Sequence, residues 1–255
     1  MSRTFAIARY TFHEAIRNKI LYSILFFAVA LILLGLGIGA ASLGQDERIL
    51  RDVGLFALSF FGDVVAIFVG VTLMYQELQR KSIYTILSKP VARAEYFVGR
   101  YLGICMILAL QALLMGALLT GAMMIRGDTL QAGWFAALWL AWVESIIVAA
   151  IAMFFSSFST PYVSGFLTLG VLVVGRLLAD LEAFLPRIES GLTRAALRAV
   201  VAVAPDLNLF TLTTQLTHDI AIPFVYVWHT SFYGVCYLLF FLLVGALIFQ
   251  RRDFI

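Results

Sequence analysis

Charge is what this sequence has least of. Asp, Glu, Lys and Arg make up only 13% of its 255 residues, against about 25% in a typical soluble domain. Hydrophobic residues make up 62%. That balance excludes an ordinary soluble globular domain and predicts a polytopic membrane protein, its core buried by lipid and by helix–helix contact. The net charge of +3 is small, and the cations follow loop positions without forming a tract, so nucleic acid is not a predicted partner. Cysteine is scarce too. Cys105 and Cys236 both lie inside apolar runs, with neither metal spacing nor disulfide logic, and read as small packing residues. The three histidines, His13, His218 and His229, are scattered and have no metal-ligand spacing. No Gly-rich loop ending in Lys-Ser/Thr occurs, which excludes ATP binding of that kind by this chain. Ser156, Ser157 and Ser159 have no His–acid pair near them in sequence, so a membrane hydrolase has little support. The first apolar run begins near Ile20 and is too long for a signal-peptide core. No small-residue cleavage site stands out, and the run is expected to be a retained span.

What is present is a series of membrane-length apolar runs. The expected fold is an all-α membrane protein, one permease-like domain over residues 1–255, with six transmembrane helices at about 20–41, 55–74, 97–125, 132–155, 162–178 and 229–249. Residues 2–19 precede them as an amphipathic helix. Phe5, Ala8, Phe12, Ala15 and Ile16 form its apolar face, Ile7 and Tyr10 break the pattern, and the helix is expected to lie in the lipid interface. Gly35, Gly37 and Gly39 read as close-packing positions. Ser42–Gly54 reads as a short mixed-charge loop and Arg126–Gln131 as a tight turn. Ala179–Trp228 carries Arg187, Arg194 and Arg198 on one helical face and Ile188, Leu192, Ala195, Ala196, Ala199 and Val203 on the other, with Pro205 as its stop. The preferred reading is an amphipathic segment on the outer membrane surface; a gate helix or a docking surface for an external protein partner is the alternative.

Six spans put both termini on one side. The N-terminal residues, the loop between spans two and three, and the tail hold eleven of the eighteen cations and four of the fifteen acids, with Arg93 and Arg100 counted in that loop. That asymmetry makes their side cytoplasmic. Arg126 and Arg176 fall near the outer ends of their spans.

The loop Tyr75–Arg100 is the most informative stretch. From Glu77 to Leu87 the helical template fits: Ile83, Ile86 and Leu87 share one face, and Glu77, Lys81, Thr85 and Ser88 another. Glu77 precedes Lys81 by one turn, the favourable order for a helix ion pair. Pro90 pushes Lys89 out of the helical region, so the short helix is predicted to end there. An interfacial helix and a lever moved by a soluble partner both fit this pattern. Within the spans, Asp63 and Glu144 are the two acids, each at least two turns from the end of its span. Groups placed so deep normally face a bundle interior or a wet cavity. They fit an ion relay, as in an ion-coupled secondary transporter, or a polar interhelix contact. No inverted repeat supports the carrier.

Four stretches, in order, resemble membrane subunits of ATP-binding cassette exporters of the type-two permease class. They are ARYTFHEAIRNKI near the N-terminus, ELQRKSIYTILSKPVAR running into EYFVGRYLG, FSSFSTP after the fourth span, and IFQRRDF at the tail. The second is the most specific. The branch most resembled is that of the nitrous-oxide-reductase maturation permease. The resemblance implies a homodimer of six-span units working with two copies of a cytosolic ATPase that binds ATP and Mg, this chain itself binding no cofactor or metal and catalysing nothing. It implies a coupling helix at Glu77–Leu87, with Glu77, Arg80, Lys81, Ile83, Tyr84, Leu87, Ser88, Lys89, Pro90 and Arg93 at the ATPase contact. Ser156, Ser157, Ser159, Thr160 and Pro161 would form a second, smaller cytoplasmic contact, and the N-terminal helix an elbow on the cytoplasmic leaflet of the cell's inner membrane.

Overall fold

A computed structural model describes residues 3–17, 19–41, 46–80, 93–126, 132–187, 191–217 and 220–251. Among these the chain is helical, with no strand. Ten α-helices follow one another: α1 (Arg3–Ile16), α2 (Lys19–Ala41), α3 (Asp46–Arg80), α4 (Arg93–Arg126), α5 (Ala132–Ser156), α6 (Pro161–Arg176), α7 (Leu178–Phe184), α8 (Gly191–Val203), α9 (Thr213–Thr217) and α10 (Phe224–Arg251). Among the described residues, five stretches are long and apolar enough to cross a membrane, or six if the bent pair α6–α7 is one span. One of the five, Gly191–Leu216, is not a continuous helix. Its α8 has 13 residues, about 20 Å, short of a hydrocarbon core of about 30 Å.

The centre of the bundle is α5, where every residue from Val143 to Met153 is buried. A helix apolar nearly all round belongs inside, and α3, α4, α6 and α10 surround this one. Small residues let α3 approach it. A Cβ on Gly70 would stand 2.9 Å from Ala152 Cβ, and one on Gly62 would stand 2.5 Å from Ser145 Oγ. The outward faces are apolar, with Leu113, Phe166 and Leu243 well exposed, as lipid-facing surfaces require.

Several expected boundaries move. Ser42–Gly54 is not all loop: α3 starts at Asp46, because the acids at its N-terminus suit a first helical turn and Leu50 is buried as part of the same apolar stripe. At its other end α3 runs past Met74 to Arg80, so Glu77 and Arg80 belong to its last turns and not to a separate helix. The rest of the expected coupling helix and its stop, Lys81, Ile83, Tyr84, Leu87, Ser88, Lys89 and Pro90, lie outside the described residues. The third and sixth spans begin earlier than expected, at Arg93 and Phe224.

Nor does Ala179–Trp228 lie wholly on the surface. In α8 no residue is buried, and Leu192 and Val203 are exposed. After Pro205, however, Leu207, Phe210, Leu212 and Leu216 are all buried. Gly175 makes this return possible, since a Cβ there would stand 2.6 Å from the Pro205 carbonyl oxygen. Irregular backbone is tolerated at such depth when its polar groups are paired. Here Asp206 N–H donates to Tyr233 Oη at 2.8 Å, Asn208 N–H to Asp206 Oδ1 at 3.0 Å, and Tyr226 Oη to the Leu209 carbonyl at 2.8 Å.

The glycines of α2 divide. Gly35 packs on Val53, but Gly37 faces open space, so only the first is a close-packing position; the surroundings of Gly39 lie outside the description. Cys236 is exposed on α10, not a packing residue.

Candidate functional site: a buried charge cluster and a clamped helix base

The two intramembrane acids meet. Asp63 projects from α3 and Glu144 from α5, and both are almost wholly buried. Between them comes Arg176, the last residue of α6. Its Nη2 lies 2.7 Å from Glu144 Oε1 and 3.3 Å from Asp63 Oδ2. The first contact is short but off-line for a hydrogen bond, since Glu144 Oε1 has no aligned donor, and is best described as an ion pair. Ser59, one helical turn before Asp63, links the set: its Oγ accepts from Arg176 Nη2 at 2.6 Å and donates to Glu144 Oε2 at 2.8 Å. Arg176 Nη1 donates to Thr211 Oγ1 at 2.8 Å. A cavity of about 20 Å³, lined by Ser59, Glu144, Thr211 and Thr213 among others, adjoins the cluster.

The position of Arg176 corrects the expectation that it lies apart from the acids, near an outer end. Its helix stops there, and the following helix is bent away by 61°, so the side chain turns into the bundle instead of outward. Two carboxylates and one guanidinium thus tie α3, α5, α6 and the segment before α9 together. Buried charges persist where they are paired.

A second assembly stands at the base of α4, the first helix after the 81–92 stretch. Arg100, expected in a cytoplasmic loop, is 1% exposed inside α4 and pairs through Nη1 with Glu14 Oε2 of α1 at 2.7 Å. Its Nε donates to Tyr96 Oη at 2.9 Å. Gly99 and Gly103 allow α1 to lie against α4, since Cβ atoms there would stand 3.0 Å from the Thr4 carbonyl oxygen and 2.7 Å from that of Ala8. Small residues four apart serve the same close approach in other membrane helices. The buried face of α1 is therefore Ala8, Thr11 and Ala15, with Ile7 packed inward and Phe5 exposed. The sequence pattern leaves Ile7 off the apolar face because it assumes a lipid contact and not a groove in α4.

On the other side of this base, α10 closes in. Phe97 and Phe249 meet at a tilt with ring centres 5.7 Å apart, a Cβ on Gly245 would touch Phe97 and Phe154, and Arg93 Nη1 donates to the Gln250 carbonyl at 3.2 Å. The turn after α5 sits at the same end. Ser156 and Ser157 are buried, and their hydroxyls close the helix on Ala152 and Phe154 carbonyls at 2.7 and 2.6 Å. Phe158 and Thr160 are exposed and Ser159 partly so, and Pro161 occupies the first turn of α6, where its missing N–H costs nothing.

Apolar helices of spanning length around one buried helix, with their few interior charges paired, define a multi-pass membrane protein. The chain belongs to the ABC-2 family of transporter proteins, whose family model matches residues 5–254. It is thus a membrane permease component of an ATP-binding cassette transporter, a family that in general works with an ATP-binding cassette partner. No curated protein matches its sequence.

Proposed function

We propose that the chain is the permease subunit of an exporter of the nitrous-oxide-reductase maturation branch, built as a homodimer of six-span units in the inner membrane with both termini cytoplasmic. Two cytosolic ATPase subunits, holding ATP and Mg, drive it. The carrying observation is the way the 81–92 stretch is rooted. It is fed by α3 and α4, with 35 and 34 residues, each about 50 Å long and so extending well beyond a hydrocarbon core of about 30 Å. The base of α4 is held by α1 on one side and α10 on the other. A push on the Glu77–Leu87 region, with Arg80, Lys81, Ser88, Lys89, Pro90 and Arg93 around it, would then move the elbow helix α1, the bundle and the C-terminal helix as one body. The exposed tip Phe158–Thr160 would make the second contact, shaped from beneath by Ser156, Ser157 and Pro161.

An ATPase-driven module acting on an external protein is the second reading, favoured by the exposed apolar residues of α8. An ion-coupled carrier draws less support, because Asp63 and Glu144 share Arg176 and serve as a strut between helices.

The test is co-expression with the ATPase. Tyr84 and Leu87 would be buried anchors in a groove of the partner, of a kind worth about 2 kcal/mol or more, whereas an exposed Glu77–Lys81 pair is worth about half a kcal/mol or less. Tyr84→Ala with Leu87→Ala should release the ATPase or uncouple its hydrolysis, and Lys81→Ala should do much less. A double variant with wild-type co-purification and coupled activity would remove the coupling assignment.

A further inference from the structure

Where α3, α4 and α5 meet, two buried polar atoms find no partner among the described residues. Gln111 on α4 is 7% exposed. Its amide nitrogen approaches Met115 Sδ at 3.9 Å, but its Oε1 is buried and accepts nothing from the protein. Trp142 on α5 has its Nε1–H buried without a protein acceptor. One is an acceptor and the other a donor, and leaving either unmade is costly in an apolar interior. Both side chains line one cavity of about 10 Å³ together with Ser145, Gly62, Leu58 and Leu108. That is about the least space that holds a water molecule.

We propose that this cavity is a binding site for a single water, which accepts from Trp142 Nε1–H and donates to Gln111 Oε1 and Ser145 Oγ. Its size rules out a larger molecule, and no charged side chain lines it, so a bare cation has no counter-charge there. The hydrogen count closes. Three bonds to one water are usual for a buried site. Ser145 has one hydroxyl hydrogen and two acceptors in reach, the Ala141 carbonyl at 3.1 Å and Asp63 Oδ1 at 3.5 Å. A water donating to the Ser145 oxygen occupies one of its lone pairs and fixes the hydroxyl toward these acceptors. The chain Trp142–water–Ser145–Asp63 then reaches Arg176. Gln111 and Trp142 become positioning residues for the charge cluster, although neither touches it. Gly62 belongs to the same design, since a Cβ there would stand 2.5 Å from Ser145 Oγ and intrude on the cavity that Gly62 lines.

Two measurements on the full chain in lipid nanodiscs decide the matter. A density map that resolves other buried waters should have a peak within hydrogen-bond distance of Gln111, Trp142 and Ser145; an empty cavity in such a map overturns the proposal. Thermal unfolding of Gln111→Met, Trp142→Phe and the double variant gives the second. Each single change should lower Tm by about 2–4 °C, and the double should fall little further, because either change alone dismisses the same water. Phe97→Leu with Trp142→Phe is the control: Phe97 lies on α4 four turns before Gln111, about 21 Å along the helix, and does not line the cavity, so its loss should add. Additive losses in the Gln111/Trp142 pair overturn the proposal. If the variants do not assemble, the wild-type map alone decides it.

Discussion

Arg100 and Glu14 form an ion pair 2.7 Å long in which the guanidinium is 1% exposed and the carboxylate 18%. The two ends of the pair therefore carry different risks. Removing Glu14 takes the close carboxylate from a buried cation that lies beside Tyr96 and Tyr10, whose rings are 5.7 and 6.0 Å from it. Removing Arg100 leaves a carboxylate that can turn to water. Breaking a buried pair from one side costs about 3–5 kcal/mol, so Glu14→Ala should approach that range and Arg100→Met should cost clearly less. Thermal unfolding of the purified chain in one detergent checks the order; equal losses would mean that the pair is solvated.

The cluster around Arg176 obeys a charge count. Arg176→Met leaves two carboxylates facing each other and should cost about 3–5 kcal/mol, seen as loss of monodisperse protein on gel filtration. Glu144→Gln keeps the shape and one carboxylate for the arginine, and should retain assembly and most ATP-driven activity. Adding Asp63→Asn and Glu144→Gln to Arg176→Met should recover much of the lost yield, since neutral groups can hydrogen-bond where ions cannot remain unpaired. A triple variant as unstable as Arg176→Met alone would assign the loss to packing.

Gly103 and Gly121 sit on the same helix and should answer substitution differently. Alanine at 103 would press on Thr11 and on the Ala8 carbonyl, while nothing lies within 4 Å of a Cβ at 121. Overpacking of this kind costs about 1–3 kcal/mol. Gly103→Ala should loosen α1, read as faster proteolysis of the N-terminus along with a lower Tm, and Gly121→Ala should match the wild type.

Topology is checked by labelling. In a background lacking Cys105 and Cys236, cysteines at Arg93 and Arg251 should react only from the cytoplasmic face and one at Arg194 only from outside. Reaction of all three from one face would overturn the six-span arrangement.

Much of the fold was legible because apolar run length reports a span directly. Helix ends were less so. The charged residues Asp46–Asp52 looked like loop, yet they are the outer turns of α3. Of the charge cluster the sequence named Asp63 and Glu144 but left Arg176 out. Span length held the missing signal. The helix that ends at Arg176 has only 16 residues, which makes it about 24 Å long. A hydrocarbon core is about 30 Å thick, so a helix this short that starts at one surface stops before the other. Its terminal arginine is then left at membrane depth, where it needs an acid. The buried return of Leu207–Leu216 gave no such signal, because its apolar residues lack a single period and its hydrogen bonds come from distant tyrosines. The inward turn of Ile7 was also hidden, since it depends on a groove made by glycines on another helix.

The order of the residues in Arg176's cluster has a consequence for biogenesis. Asp63 leaves the ribosome 113 residues before Arg176, and Glu144 also precedes it. Both acids therefore enter the membrane on α3 and α5 before their common counter-ion has been made. Until α6 is threaded, the nascent chain holds two unmatched carboxyl groups in apolar surroundings, each costing about 2.5–3.5 kcal/mol on the insertion scale. Completion of α6 supplies the arginine, and its arrival releases both penalties at once. Insertion of that helix thus marks the point at which both acids gain their counter-ion, while α10, which closes the bundle on α4 and α5, is still to be made.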